Sequence, residues 1–323
     1  SARRKVKSKT LPITIIRHCS LILLMQYQQL GRSHLNISRI GLGCMSLSST
    51  KEKESIAIIH HALDLGINYF DTADLYEKGM NEMLVGKAIQ SKRADSIIAT
   101  KVGNQWRPDG SGWDWNPGKE YILKCAEASL TRLRTDYIDL YQLHGGTIHD
   151  PIDDVIEAFE QLQKQGKIRY YGISSIRPNV IREYVVRSNI VSVMTQYSLA
   201  DRRPEESTLD LLHQNNIGVL SRGALAQGLL VDKPAKEYLG YSETEIAGAA
   251  QQLQGVAVTT HTAAQAAVQF VLQHPAITSA VVGISRLQQL NEVAATTDKE
   301  ALTEKNIGLL QNALPPKAYE QHR

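Results

Sequence analysis

Four residue types in this chain could move a proton together. The stretch GINYFDTADLY, residues 66–76, starts apolar with Ile67, Tyr69 and Phe70 and ends in Asp71, Asp74 and Tyr76. Two further β-rich runs end in the same way, SIIATK at Lys101 and YIDLYQLH at His144. A phenol titrates near pH 10 and is a poor acid at neutral pH, but a neighbouring ammonium favours the phenolate. A carboxylate keeps such an ammonium charged and aimed, and a neutral imidazole can orient a carbonyl group. Tyr76, Lys101, Asp71 and His144 therefore suit proton transfer to a carbonyl oxygen. Taken singly, three of them have plainer readings: Asp71 as a strand-end cap, His144 as a hydrogen-bonded structural histidine, and Lys101 as a solvated charge or a Schiff-base lysine. No spacing suggests metal ligands, and no serine stands in G-x-S-x-G.

What could bring the four together is the alternation of elements. The run ISRIGLG reads as a strand, Glu52 to Leu65 as an amphipathic helix and INYFD as the next strand, with Asn81 expected to cap a helix that runs to Ile89. SIIATK follows, then a loop rich in Gly, Pro and Trp, then a helix around Ala126 to Leu133. The strands YIDLYQLH, IRYYGISS, IVSVMTQYS and IGVLSRG alternate with helices over 152–164, 179–186 and 206–214. After a long polar insert come a helix over 263–272, the strand SAVVGIS, a helix from Leu287 and a last helix that ends before Pro315. About eight strand–helix units imply parallel strands, and in an α/β chain of this length they fit a (β/α)8 TIM barrel better than an open sheet. GLGCMS has only G-x-G, short of the dinucleotide fingerprint of a Rossmann half. Residues 25–38 read as a hairpin at the barrel floor. On such a barrel the chemistry sits at the C-terminal strand ends, which carry Asp71, Lys101, His144, Ser174 and Ser175, Gln196 and Tyr197, Ser221 and Arg222, and Gly283 to Arg286.

Composition narrows the alternatives. The 323 residues are 42% hydrophobic, enough for a large core. The formal charge of +3 comes from the first 24 residues, which hold six bases (Arg3, Arg4, Lys5, Lys7, Lys9, Arg17) and no acid; the rest has 30 bases against 33 acids. That balance of −3 gives no reason to expect nucleic acid as a partner. Cys19, Cys44 and Cys125 are far apart without a CxxC, which points to a reducing, cytoplasmic setting rather than a disulfide framework. Residues 1–24 read as an extension ahead of a single domain over 25–323. Arg17 and His18 break their apolar stretch, so neither a secretory signal nor a membrane span is expected. A chain starting at Met25 is expected to fold and act as the full chain does.

The segments DTADLY, TKVG, DLYQLH, YYGISS and VVGISRLQQLNE, in this order and at these separations, resemble the signature segments of the aldo-keto reductases. The resemblance runs from about Met25 to beyond Glu292. It implies a (β/α)8-barrel enzyme that uses NAD(P)H, usually NADPH, without metal or flavin. It also implies Tyr76 as proton donor, Lys101 and Asp71 as its tuning pair, and His144 as the residue that orients the carbonyl. Carried over by position, it implies cofactor contacts at Cys44, Met45, Ser174, Ser175, Gln196, Ser221, Arg222, Gly223, Leu225, Gly228, Gly283, Ser285, Arg286, Gln289 and Glu292. The chain departs from the family at several of these. Ser175 stands for the usual asparagine, Met194 for the sixth-strand glutamine with Gln196 displaced, Arg222 for the aromatic that stacks on nicotinamide, and Val293 for a further asparagine.

Trp106, Trp113 and Trp115 either anchor the loop after the third strand or line an apolar substrate pocket. Arg286 reads either as an ordinary first-turn surface charge or, as the resemblance implies, as the partner of an adenosine 2′-phosphate, which a planar guanidinium suits. Cys44 reads as backbone lining rather than a reactive thiol, and His60 and His61 as structural. The leading expectation is NADPH-dependent reduction of a small aldehyde or ketone by a monomer or small homo-oligomer, with neither membrane nor nucleic acid as partner. Two others stand beside it: a non-catalytic NADPH-binding regulatory subunit, and a class I aldolase using Lys101.

Overall fold

A computed structural model describes residues 25–257 and 261–323; the expected extension over 1–24, with Cys19, lies outside the described residues. Two short strands, β1 (Tyr27–Gln29) and β2 (Asn36–Ser38), pair antiparallel as the expected hairpin. β3 (Ile40–Gly43), β4 (Tyr69–Asp71) and β5 (Ile97–Val102) follow, with α1 (Glu52–Asp64) and α2 (Met80–Ile89) between them. A second hairpin, β6 (Asn104–Trp106) with β7 (Trp113–Trp115), precedes α3 (Lys119–Leu133). Then come β8 (Ile138–Leu143), α4 (Ile152–Lys164), β9 (Ile168–Ser174), α5 (Pro178–Arg187), β10 (Ser192–Gln196), α6 (Thr208–Gln214) and β11 (Gly218–Arg222). α7 (Glu243–Ala257), α8 (Ala263–Leu272), β12 (Ile277–Gly283), α9 (Leu287–Ala294) and α10 (Glu304–Ala313) complete the described chain.

Eight parallel strands close a barrel in the order β3-β4-β5-β8-β9-β10-β11-β12, with β12 paired back onto β3. This is the (β/α)8 barrel expected from the alternation of elements. Strand side chains alternate between its two faces. Phe70, Ile98, Tyr141, Val193 and Val219 point outward into the core shared with the helices. Tyr69, Ala99, Leu140, Met194 and Leu220 fill the interior together with Leu30, Leu35 and Ile37 of the first hairpin. The hairpin therefore plugs one mouth. Its turn is crowded against the barrel: Gly31 has φ +51°, and a Cβ there would lie 2.5 Å from the Val191 carbonyl oxygen. On the outside, α4 buries Ile152, Val155, Ile156, Phe159 and Leu162, the apolar stripe of an amphipathic helix.

Three local expectations differ from the structure. Asn81 is not the cap of α2, whose preceding residue is Gly79 at φ 87°. It is fully buried inside the helix, where its amide accepts from Thr72 Oγ1 and donates to the Cys44 and Leu47 carbonyls. A polar side chain with that many partners is worth more as a buried tie than as a cap. The tryptophan loop is a paired hairpin, and the polar insert after β11 contains α7, whose buried face is only Ile246, Ala249, Leu253 and Ala257.

Candidate active site

The interior register builds the site. Tyr69, Ala99 and Leu140 face the barrel axis, so Asp71, Lys101 and Gln142, each two residues further along, face it one layer higher. His144 follows β8, where its N–H donates to the Val102 carbonyl at 2.7 Å and its own carbonyl accepts from Asn104 Nδ2 at 3.2 Å. Tyr76 lies in the loop after β4, and its ring meets the His144 imidazole edge-on, 5.9 Å between centroids.

Lys101 Nζ uses all three of its donor directions. It donates to Asp71 Oδ1 at 2.5 Å, the Thr72 carbonyl at 2.8 Å and the Tyr76 hydroxyl at 3.2 Å. Gln142 Nε2 donates to the other Asp71 oxygen at 3.3 Å. Lys101 is fully buried and Asp71 nearly so. Burial opposes the ammonium, but Asp71 and Tyr76 outweigh it and hold Lys101 above the ordinary lysine range. Burial also pushes the Asp71 carboxyl upward, the opposite pull on the same proton. With every Nζ donor engaged, the proton stays on the lysine. Burial, with the charges of Lys101 and Arg222, pulls His144 down to about 3, so at neutral pH its imidazole is uncharged. Its Nδ1 is buried without a hydrogen-bond partner among the described residues.

All four residues line one cavity of about 1570 Å³ at the C-terminal ends of the barrel strands. Most of the other residues singled out from the sequence line it too: Met45, Ser174, Ser175, Gln196, Arg222, Gly223, Leu225 and Gly228, and from the β12 side Gly283, Ser285, Arg286, Gln289 and Glu292. Cys44 and Ser221 are set back from it. Cys44 is fully buried, and burial pushes its thiol far up, so it neither lines the cavity nor offers a ready thiolate. Ser221 Oγ donates to the Tyr197 carbonyl at 3.0 Å. None of the three tryptophans is among the lining residues. Trp106 Nε1 donates to the Leu75 carbonyl and Trp115 Nε1 to Asp150, while Trp113 is half exposed. Trp106 and Trp115 tie the second hairpin to the loops after β4 and β8.

Gln142 was not singled out from the sequence, although its place two residues before His144 in a strand puts it on the same face. Arg177, Lys233 and Tyr238 also line the cavity. At the rim, Arg222 Nη1 donates to Gln196 Oε1 at 2.9 Å and Gln196 Nε2 to Tyr238 at 3.0 Å, which ties the segment after β11 to the barrel.

The profile of the Aldo/keto reductase family matches residues 39–314. The chain belongs to the aldo-keto reductase family. Among its relatives, the uncharacterized oxidoreductase YqkF of Bacillus subtilis is 50% identical over 308 residues, 93% of this chain and all of that protein. The aldo-keto reductase YhdN of the same organism is 32% identical, covering 84% of this chain and 89% of its own length. Among solved structures, the holo form of aldo-keto reductase AKR11C1 from Bacillus halodurans superposes with a TM-score of 0.87 at 47% identity, covering 93% of this chain and 100% of the other. Membership in the aldo-keto reductases makes the chain an oxidoreductase. Among the described residues no helix is long and apolar enough to cross a membrane.

Proposed function

We propose that this aldo-keto reductase reduces aldehydes or ketones to alcohols with NADPH. The observation that carries the reading is the buried chain Asp71–Lys101–Tyr76, with a neutral His144 facing the phenol across the same cavity. The cavity suits a dinucleotide. It continues from the four catalytic residues to Ser285, Arg286, Gln289 and Glu292 at the start of α9, where a helix N-terminus favours an anion. Its wall is kept free of side chains at Gly283, where a Cβ would lie 2.6 Å from Ser46 Oγ. NADPH, held by these residues, would supply the hydride for the carbonyl carbon.

The chain's own residues handle the proton. His144, uncharged, donates a hydrogen bond to the carbonyl oxygen and sets its orientation. Tyr76 gives that oxygen its phenolic proton, and the ammonium of Lys101, 3.2 Å away, stabilises the phenolate left behind. Asp71 and Gln142 hold the ammonium in place. A Schiff-base role for Lys101 fits poorly, because an amine saturated with hydrogen bonds and held protonated is not a nucleophile. NADPH oxidation followed across a panel of aldehydes, ketones and sugars tests the reading. Tyr76→Phe should cut kcat by about 10²–10⁴-fold while cofactor binding stays near wild type. A variant keeping a third of the wild-type rate would remove Tyr76 from the mechanism. Cofactor binding without turnover of any carbonyl would favour the regulatory reading.

A further inference from the structure

Directly after Tyr76 the backbone passes through three left-handed residues: Glu77 at φ 47°, Lys78 at φ 55° and Gly79 at φ 87°. Glycine suits the last, since a Cβ there would lie 2.8 Å from Arg132 Cδ. Glu77 and Lys78 gain nothing from that conformation, and such strain persists only where the surroundings impose it. Their side chains reach to opposite neighbours. Glu77 Oε1 accepts from Ser48 Oγ at 2.9 Å and Oε2 from the Ser49 N–H at 2.9 Å. These serines follow Met45 and Ser46, which line the cavity wall. Lys78 Nζ lies 5.0 Å from the centroid of the Trp106 ring, and Trp106 holds the Leu75 carbonyl at 3.1 Å. Tyr76 is thus gripped through the residue before it and the residue after it.

We propose that Glu77 is a positioning residue for Tyr76. Its carboxylate clasps the loop after β4 to the loop after β3 and so holds the phenol at Lys101 and beside His144. This inference rests on the carbonyl-reductase reading. Two ordinary surface hydrogen bonds would not require a glutamate in a left-handed conformation; a glycine would take the turn without strain.

Two variants separate the clasp from a merely local turn. Glu77→Gln keeps length and conformation but leaves one acceptor where the carboxylate had two. Glu77→Gly removes the clasp and relieves the strain. In both, kcat for carbonyl reduction should fall about tenfold, because small displacements of a reacting group are costly. KM for the carbonyl and Kd for NADPH should stay within about twofold of wild type, and the Tm of Glu77→Gly should hold or rise. Wild-type kcat in either variant would overturn the proposal. So would a loss of kcat in Glu77→Gly matched by a fall in Tm. If the wild-type protein turned over no carbonyl, the functional reading would fail instead, and the clasp would be judged by 19F NMR of 3-fluorotyrosine at position 76. A sharp wild-type resonance that broadens or doubles in Glu77→Gln supports it, and identical resonances refute it.

Discussion

Asp71 ends β4, Asp74 lies in the loop after it, and the two meet different fates. Asp71 touches an ammonium, whereas Asp74 Oδ1 is buried without a hydrogen-bond partner among the described residues. Burial, then the nearby Glu82, pushes the Asp74 carboxyl up to about 8. The folded protein thus holds that proton to about pH 8, while the unfolded chain releases it near its ordinary value of 3.8. A raised carboxyl contributes stability at low pH that is lost as pH climbs through this window, by up to about 1.4 kcal/mol per pH unit. Asp74→Asn copies the protonated acid and escapes the loss. It should raise stability at pH 7–8 by about 1–3 kcal/mol, a few degrees in Tm, and change little at pH 4. His144 works with the other sign. Its folded value of about 3 lies below the ordinary 6.5, so stability falls as pH drops from 6.5 towards 3. Thermal melts across pH should therefore fall away on the acid side less steeply for His144→Gln than for wild type. The sequence displayed the four candidate residues because Asp71, Lys101 and His144 stand at strand ends and Tyr76 in the loop just after one. It hid the state of Asp74, which depends on neighbours such as Glu82 and Arg132 that only packing supplies.

At the scale of elements, strands and long amphipathic helices were legible because period and length agree. One misreading falls where a short element is defined by its pairing partner, another where a helix buries few large apolar side chains. Trp113 and Trp115 look like loop residues until β7 pairs with β6, and Trp115 then packs over Gly103 and Gly145, beside Lys101 and His144. α7 was missed because Ala and Gln dominate it and few large apolar residues mark its buried face. The start of α9 carries a prediction. Arg286 precedes the first turn of that helix on the cavity wall. An Arg–phosphate pair is charge-assisted, worth about 1.5–3 kcal/mol, and NADH lacks the 2′-phosphate that would engage it. Arg286→Ala should raise the Kd of NADPH by about 10–150-fold and leave NADH nearly unchanged. Titration of both cofactors by intrinsic fluorescence checks this. Equal weakening of the two would make Arg286 a general contributor to the cavity's field rather than the selector of the phosphorylated cofactor.

At the scale of the barrel, the hairpin plug and the proposed active site lie at opposite mouths. One rim carries the loops and the reacting groups; the other is closed by the first hairpin, whose Leu30, Leu35 and Ile37 complete the interior beneath Tyr69, Ala99 and Leu140. Leu30 is fully buried, and its Cδ1 would lie 2.6 Å from a Cβ built on Gly218, so the plug meets the backbone of β11 directly. Truncating such a side chain removes its transfer free energy and leaves a cavity that the closed barrel has little freedom to collapse. Leu30→Ala should therefore destabilise the fold by about 2–5 kcal/mol and lower the Tm by several degrees. The proposed catalytic pair Asp71 and Lys101, with Gln142, stands further up the interior and is tied there by bonds among these three side chains and to the Thr72 carbonyl. At temperatures well below the lowered Tm, kcat for carbonyl reduction should consequently stay within about twofold of wild type, as expected when the two faces of such a barrel divide stability from chemistry. Calorimetry and initial rates on the same preparation measure both quantities. A stable Leu30→Ala protein would show that the hairpin merely rests on the barrel, and a proportionate loss of kcat would show that the floor holds the site.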